Sequence, residues 1–217
     1  KLISAAGHAC FGLYFWAVFA VCSLLTLVLL VVVPGQRNRR KAAQAAAASV
    51  FRLTGTWPAI SGMEHLPQGP SVVVANHGSY LDGVLLTAVL PHRYQFVVKR
   101  EVTRFPLLHF FLRRLGTQFV DRFDPHRGAS DTRKLLNTAS QGASLAFFPE
   151  GTFTSEAGLR HFHNGAFAIA SRNVLPIVPI AICGARNMLP CDRRLPGPGK
   201  LAVTVTPPLN NGAPVTD

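Results

Sequence analysis

The sequence predicts an α/β protein: a mixed, mostly parallel sheet flanked by helices, preceded by an N-terminal membrane-embedded helical hairpin. Three observations carry that expectation. From Trp57 onward, short apolar runs alternate with helix-length segments. Upstream of it, Phe11 to Val33 runs without a single charge. Between the two lies an alanine-rich stretch entered through a basic turn, RNRRK (Arg37 to Lys41).

Taken in order, the Phe11–Val33 run is long enough to cross a bilayer core, which needs about 20 apolar residues, and is longer than a signal peptide's apolar core. Pro34-Gly35 ends it. The basic residues behind it favour the cytoplasmic side and attract anionic headgroups. KAAQAAAASVFRL (41–53) is helical by propensity. The two segments read as a hairpin, and the sequence leaves open whether its first helix spans or re-enters one leaflet. Residues 1–55 are therefore expected to anchor the chain and 56–217 to form the working domain. Within the latter, 71–75, 94–98, 117–121, 143–148, 174–182 and 201–206 read as strands. The intervening 82–90, 105–115, 128–141 and 162–172 read as helices. The helix at 105–115, FPLLHFFLRR, suits either the membrane interface or the core.

Composition narrows the partners. Hydrophobic residues make up 48% of the 217 and charged ones 15%, while 22 Lys and Arg against 10 Asp and Glu give a net charge of +12. That excess calls for an anionic partner: nucleic acid, a membrane surface or a phosphorylated substrate. The basic residues are scattered and no nucleic-acid motif is present, so nucleic acid is not the expected partner. None of the four cysteines has CxxC spacing, which favours reduced, buried thiols over a zinc or redox site. His161-Phe-His163 has too few companions for a metal site.

Two strand-end loops carry chemistry. The first is VVVANHGSYLDG (Val72 to Gly83). His77 and Asp82 are five residues apart, and on one continuous helix they would sit roughly 140° apart. They meet only if His77 precedes the helix. Ser79-Tyr-Leu-Asp82 has the S-x-x-D form of a capping box, which puts the helix start near Ser79 and Asp82 in its first turn. A neutral imidazole then takes a proton from a hydroxyl, and the carboxylate fixes its tautomer. Ser79 is in no nucleophile elbow and no cysteine is near, so the nucleophile is expected to be a substrate hydroxyl. A plain loop histidine with a helix-capping aspartate satisfies the same pattern. The second loop is FPEGT (Phe148 to Thr152), with a carboxylate to accept a hydroxyl and a glycine that lets backbone approach an anion. A surface turn reads the same way.

Together, NHGSYLD and FPEGT resemble the NH-x4-D and acceptor-loop blocks of the glycerolipid acyltransferases, the family that includes bacterial 1-acylglycerol-3-phosphate acyltransferase. KRE-x4-P (Lys99 to Pro106), GTQFVDR (Gly116 to Arg122) and VLPIVPIAI resemble further blocks, and the likeness covers roughly residues 57–206. The resemblance implies that His77 and Asp82 deprotonate the acceptor hydroxyl, which attacks an acyl thioester. It implies no covalent acyl-enzyme, no metal and no cofactor beyond the acyl-CoA or acyl-carrier-protein donor. It assigns Lys99 and Arg122 to the acceptor's phosphate, and Glu150, Gly151 and Thr152 to acceptor binding. Two positions depart from the family pattern: Phe153 stands where an arginine is usual, and Phe162-His-Asn-Gly165 lacks a common lysine. The expected protein is a membrane-bound O-acyltransferase acting on a lysophospholipid, most simply 1-acylglycerol-3-phosphate, at the cytoplasmic face of a cell inner membrane. Its expected partners are membrane lipids and acyl-carrier protein. The alternatives are another lysolipid acceptor, a lipid hydrolase and a non-enzymatic membrane-tethered binding protein.

Overall fold

The computed structural model describes residues 2–121, 124–154 and 158–209. Two long helices come first, α1 (Leu2–Val32) and α2 (Gln36–Leu53). Then follow β1 (Ala59–Ser61), β2 (Val72–Ala75), α3 (Leu81–Val89), β3 (Tyr94–Lys99) and α4 (Pro106–Leu115). The rest comprises β4 (Gln118–Val120), α5 (Pro125–Ser140), β5 (Ser144–Phe147), α6 (Gly165–Arg172), β6 (Ile177–Cys183), α7 (Ala185–Met188) and β7 (Ala202–Val205).

The strands form one seven-stranded sheet in the order β1-β7-β6-β2-β5-β3-β4. The five strands β6, β2, β5, β3 and β4 run parallel, while β7 and β1 run the other way. All four residues of β2 are buried, as a central strand covered on both faces requires. The mixed, mostly parallel sheet thus matches the sequence-based fold class.

Each face is packed by helices. On one, Leu81, Leu85 and Leu86 of α3 share a core with Phe15 and Phe51 of the hairpin and with Val73, Ala146 and Val178 of the sheet. On the other, α5 and α6 bring Leu135, Ala139 and Ile169 against Val97 and Leu145, and Ala166 and Ala170 against Val72 and Ile177. The hairpin closes at both ends. The Tyr14 hydroxyl donates to the Leu53 carbonyl at 3.0 Å, and Arg39 donates to the Val33 carbonyl at 2.9 Å. Within α1, Ala6–Val32 is long and apolar enough to cross a membrane.

Local chemistry sets the ends of the elements. Pro106 opens α4, and Gly116 closes it in the left-handed region at φ 74°. Asp124 caps α5 by accepting from the backbone of His126 and Arg127. The Pro179 carbonyl accepts from Thr206, just past the end of β7, so the missing N–H of this proline faces a break in that ladder.

Several expectations shift. The strand expected from Val174 begins at Ile177, because Val174 takes a positive φ of 51° in the turn after α6. The edge strand β1 is wholly exposed and α7 has only four residues, so neither leaves an apolar period. The FPLLHFFLRR helix contains no buried residue. It lies against the hairpin, with Arg40 donating to the Leu115 carbonyl at 2.7 Å and Arg114 to the Leu30 carbonyl at 2.8 Å.

Candidate active site

The parallel strands bring the ends of β2, β5, β3 and β4 to one edge of the sheet, where ligand sites gather in α/β folds. The NHGSYLD loop leaves β2 at the middle of that edge. His77 lies ahead of α3 and Asp82 in its first turn, so the two side chains meet: Nδ1 of His77 is 2.9 Å from Oδ2 of Asp82. That one oxygen also accepts from the backbone N–H of Gly78 at 2.7 Å and of Ser79 at 2.8 Å. The Asp82 side chain is 1% exposed and that of His77 18%. A carboxylate can only accept, so Nδ1 carries a proton, and in the neutral imidazole the lone pair is then on Nε2. The capping box is realised in part. Asp82 reaches back to the Ser79 N–H, but the helix starts at Leu81, and the Ser79 hydroxyl accepts from Leu81 and donates to the Leu189 carbonyl at 2.7 Å.

The FPEGT loop leaves β5, the next strand, and closes over the histidine. Phe148 stacks on the imidazole with ring centroids 4.4 Å apart. Phe153 meets it edge-on at 4.5 Å and touches Tyr80 at 4.8 Å. Glu150 is 3% exposed. Its two oxygens accept from the backbone N–H of His77 at 2.7 Å and of Arg160 at 2.8 Å, so it ties three loop segments together. Gly151 takes φ 72°, and its N–H bonds the Phe148 carbonyl at 3.0 Å, closing the turn. Thr152 is exposed.

The third wall is one that sequence reasoning missed. Asn76 exchanges two hydrogen bonds with Ile182, its amide N–H₂ donating at 3.0 Å and its oxygen accepting at 2.7 Å. With the Ser79–Leu189 bond, this lays the β6–α7 segment along the histidine loop. The pairs are more than a hundred residues apart, and no local signal announces them.

Lys99 ends β3, on the far side of β5 from His77. Arg122 lies outside the described residues. Beside Lys99 a polar recess of about 450 Å³ is lined by Arg100, Glu101, Arg104, Asp121 and Arg127. Arg100 is committed to structure there: it donates to both oxygens of buried Asp131 at 2.7 and 2.6 Å, and that bonding raises its pKa.

An apolar cavity of about 740 Å³ lies between the hairpin, α3, α4 and β3, within the ~300–1,000 Å³ range of small-molecule sites. Phe19, Ala47, Val84, Leu108 and Leu112 line it, along with Tyr80 and Phe148. Phe148 is the ring stacked on His77, so the cavity adjoins the dyad.

A buried carboxylate thus holds a histidine beside an apolar cavity at one edge of the sheet. Residues 58–183 match the acyltransferase family model, and the chain belongs to that family. It is 31% identical over 191 residues to the chloroplastic 1-acyl-sn-glycerol-3-phosphate acyltransferase of Brassica napus, covering 82% of this chain and 55% of that one. It is 30% identical over 155 residues to the 1-acyl-sn-glycerol-3-phosphate acyltransferase of Saccharomyces cerevisiae, covering 70% and 51%. It is also 35% identical over 128 residues to a lyso-ornithine lipid O-acyltransferase of Pseudomonas aeruginosa, covering 57% and 47%. The chain spans about half the length of the curated relatives it matches. The crystal structure of the 1-acyl-sn-glycerophosphate acyltransferase PlsC from Thermotoga maritima shares the fold, with a TM-score of 0.77 at 21% identity over 97% of this chain and 88% of that one.

Proposed function

We propose that the protein is a membrane-bound O-acyltransferase that moves a fatty acyl group from an acyl thioester to the free hydroxyl of a lysophospholipid. The donor is acyl-CoA or acyl-carrier protein, and 1-acylglycerol-3-phosphate is the leading acceptor. The observation that carries this reading is the His77–Asp82 pair set against an apolar cavity. Nε2 of His77 takes the proton of the acceptor hydroxyl as its oxygen attacks the thioester carbonyl. Asp82 stabilises the imidazolium that forms. Collapse of the tetrahedral intermediate breaks the C–S bond, and the imidazolium returns its proton to the departing thiolate. The cavity takes the acyl chain, each buried methylene contributing about 0.8 kcal/mol. Glu150 and Gly151 hold the loop over the histidine, and the acceptor's headgroup is assigned to Thr152, Lys99 and Arg122 on the family resemblance alone. No metal or further cofactor enters this reading.

Residues 1–55 are read as the anchor and 56–217 as the catalytic domain, at the cytoplasmic face of a cell inner membrane. The hairpin's contacts favour insertion into one leaflet. The indole N–H of Trp16 donates to the Arg194 carbonyl at 2.8 Å, while Leu30 near the other end of α1 is held by Arg114. Arg37–Lys41 and Arg52 on α2 are separated by roughly 17–22 Å of helix, short of the ~30 Å apolar core of a bilayer.

The test is one assay: purified protein, a labelled acyl thioester and a panel of lysolipids. Acylated lipid should form with the wild type and not with a folded His77→Ala variant. Normal turnover by that variant would refute the dyad, and free fatty acid released without acceptor would mark a hydrolase. A second acceptor class also draws support. Phe153 puts an aromatic ring at the histidine where a cation would favour phosphate, and one relative is named for a lyso-ornithine lipid.

A further inference from the structure

We infer that Phe153, backed by Tyr80, shields His77 from water, so that a bound thioester is passed to the acceptor hydroxyl and not hydrolysed. The inference deepens the acyltransfer reading and rests on it for the identity of the competing nucleophiles. The shield itself rests on geometry. Four rings form one continuous run at the dyad. Ring centroids are 4.8 Å apart from Tyr80 to Phe153, 4.5 Å from Phe153 to His77 and 4.4 Å from His77 to Phe148. The two end members, Tyr80 and Phe148, line the apolar cavity. Phe153 therefore joins the cavity wall at Tyr80 to the imidazole. It covers a different part of that ring from the face on which Phe148 stacks, since two rings cannot share one place. Backbone contacts set it there: Glu150 ties the loop to the His77 N–H, and Gly151 turns the chain just ahead of Phe153. With Asp82 on Nδ1 and the two phenylalanines against the ring, 18% of the His77 side chain stays accessible.

The chemistry shows why a shield matters. Water far outnumbers any lysolipid, and an imidazole that takes a proton from an alcohol takes one from water as well. Hydrolysis needs no further reactant. The water oxygen bonds the thioester carbonyl carbon and one proton passes to Nε2 of His77. The C–S bond then breaks, and the imidazolium returns that proton to the departing thiolate, leaving a fatty acid. Transfer differs only in the nucleophile, so the choice falls to whatever reaches Nε2. A phenylalanine ring offers no donor or acceptor that would hold a water beside that nitrogen. Phe153 is half-buried and Tyr80 is 63% exposed, so apolar ring surface faces outward beside the dyad. An acceptor with an alkyl chain gains by covering that surface as its hydroxyl arrives, and water gains nothing.

The experiment uses the full chain in lipid nanodiscs, with acyl-CoA labelled in its acyl group and lysophosphatidate as acceptor. Acylated lipid and free fatty acid are measured in the same reaction for wild type, Phe153→Ala, Phe153→Leu and Tyr80→Ala. Phe153→Ala should raise the ratio of fatty acid to acylated lipid by roughly tenfold or more, with Phe153→Leu in between. Tyr80→Ala should raise it less, because Tyr80 touches Phe153 and not the imidazole. The added hydrolysis should vanish when His77→Ala is combined with Phe153→Ala. Both products come from the same enzyme molecules, so a poorly folded fraction lowers them together and leaves the ratio unmoved. A second reading needs no turnover: the rate at which diethyl pyrocarbonate modifies His77, followed by peptide mass spectrometry. The rate at His65, whose Nδ1 lies 2.9 Å from the Val205 carbonyl, serves as the internal reference and reports any general unfolding. Relative to it, His77 should be modified faster in Phe153→Ala than in wild type. An unchanged product ratio, or an unchanged relative rate at His77, overturns the shield. A wild type that forms no acylated lipid refutes acyl transfer instead, and faster modification in Phe153→Ala would then leave the shield standing.

Discussion

Replacing Asp82 by Asn separates the dyad from a merely capped helix. One oxygen of Asp82 accepts from His77 Nδ1 and from two backbone N–H groups, within 2.7 to 2.9 Å. An asparagine can point its own oxygen to the same place, so the loop and helix start survive. What disappears is the negative charge opposite the imidazolium that forms as the acceptor proton leaves. A unit-charge pair about 4 Å apart at an effective dielectric near 20 interacts by about 4 kcal/mol. At about 1.4 kcal/mol per decade, that is roughly a thousandfold in rate. The aspartate is buried and the histidine largely so, which keeps solvent screening small. Initial rates at saturating lysolipid and acyl thioester measure the loss, and circular dichroism with thermal unfolding checks the fold. A folded Asp82→Asn enzyme within about tenfold of wild type would refute the reasoning and leave Asp82 as a cap.

Three further outcomes are expected. Glu150→Gln replaces an acceptor by an N–H₂ group that faces a backbone N–H of His77 or Arg160; it should cost about 1–3 kcal/mol. In a domain of this size that lowers Tm by about 2–4 °C per kcal/mol, read by thermal unfolding. Val84→Phe narrows the apolar cavity and should shift preference to shorter donors, by about fourfold in kcat/KM per methylene excluded, measured across a chain-length series. His92 accepts from Arg37 at 3.2 Å, and burial, then the charges of Lys41, Arg37 and Arg40, hold its pKa below the ordinary value. The unfolded chain therefore takes up this proton first. Stability from this group is intact above about pH 6.5 and declines as pH falls through that value toward the folded pKa. Tm measured from pH 7 down to about pH 5 should drop less in His92→Gln than in wild type.

Much was legible in the linear chain because it is local or periodic. A charge-free run long enough for a bilayer had to be a helix with a greasy face, and α1 is one. Buried parallel strands must be apolar along their length, so VVVA, SLAF and the run around Pro179 announced themselves. The spacing of His77 and Asp82 required a loop before the helix, and the chain bends there. What stayed hidden depends on pairs brought together by folding. The edge strand β1 is three residues long and exposed throughout, and α7 is too short to show a period. Glu150 read as an acceptor-binding carboxylate or an exposed turn residue; it is buried, and its oxygens accept from two backbone N–H groups that the linear chain does not bring together.

The sequence by itself determined the sheet with its flanking helices, the apolar first helix, and the imidazole and carboxylate at the end of the central strand. Those follow from hydrophobic periodicity and from the reach of five residues of backbone. The tertiary structure alone decided which loops close over the imidazole and where the cavity lies. Strand order in a sheet is settled by packing between segments far apart in the chain, and no local pattern encodes it.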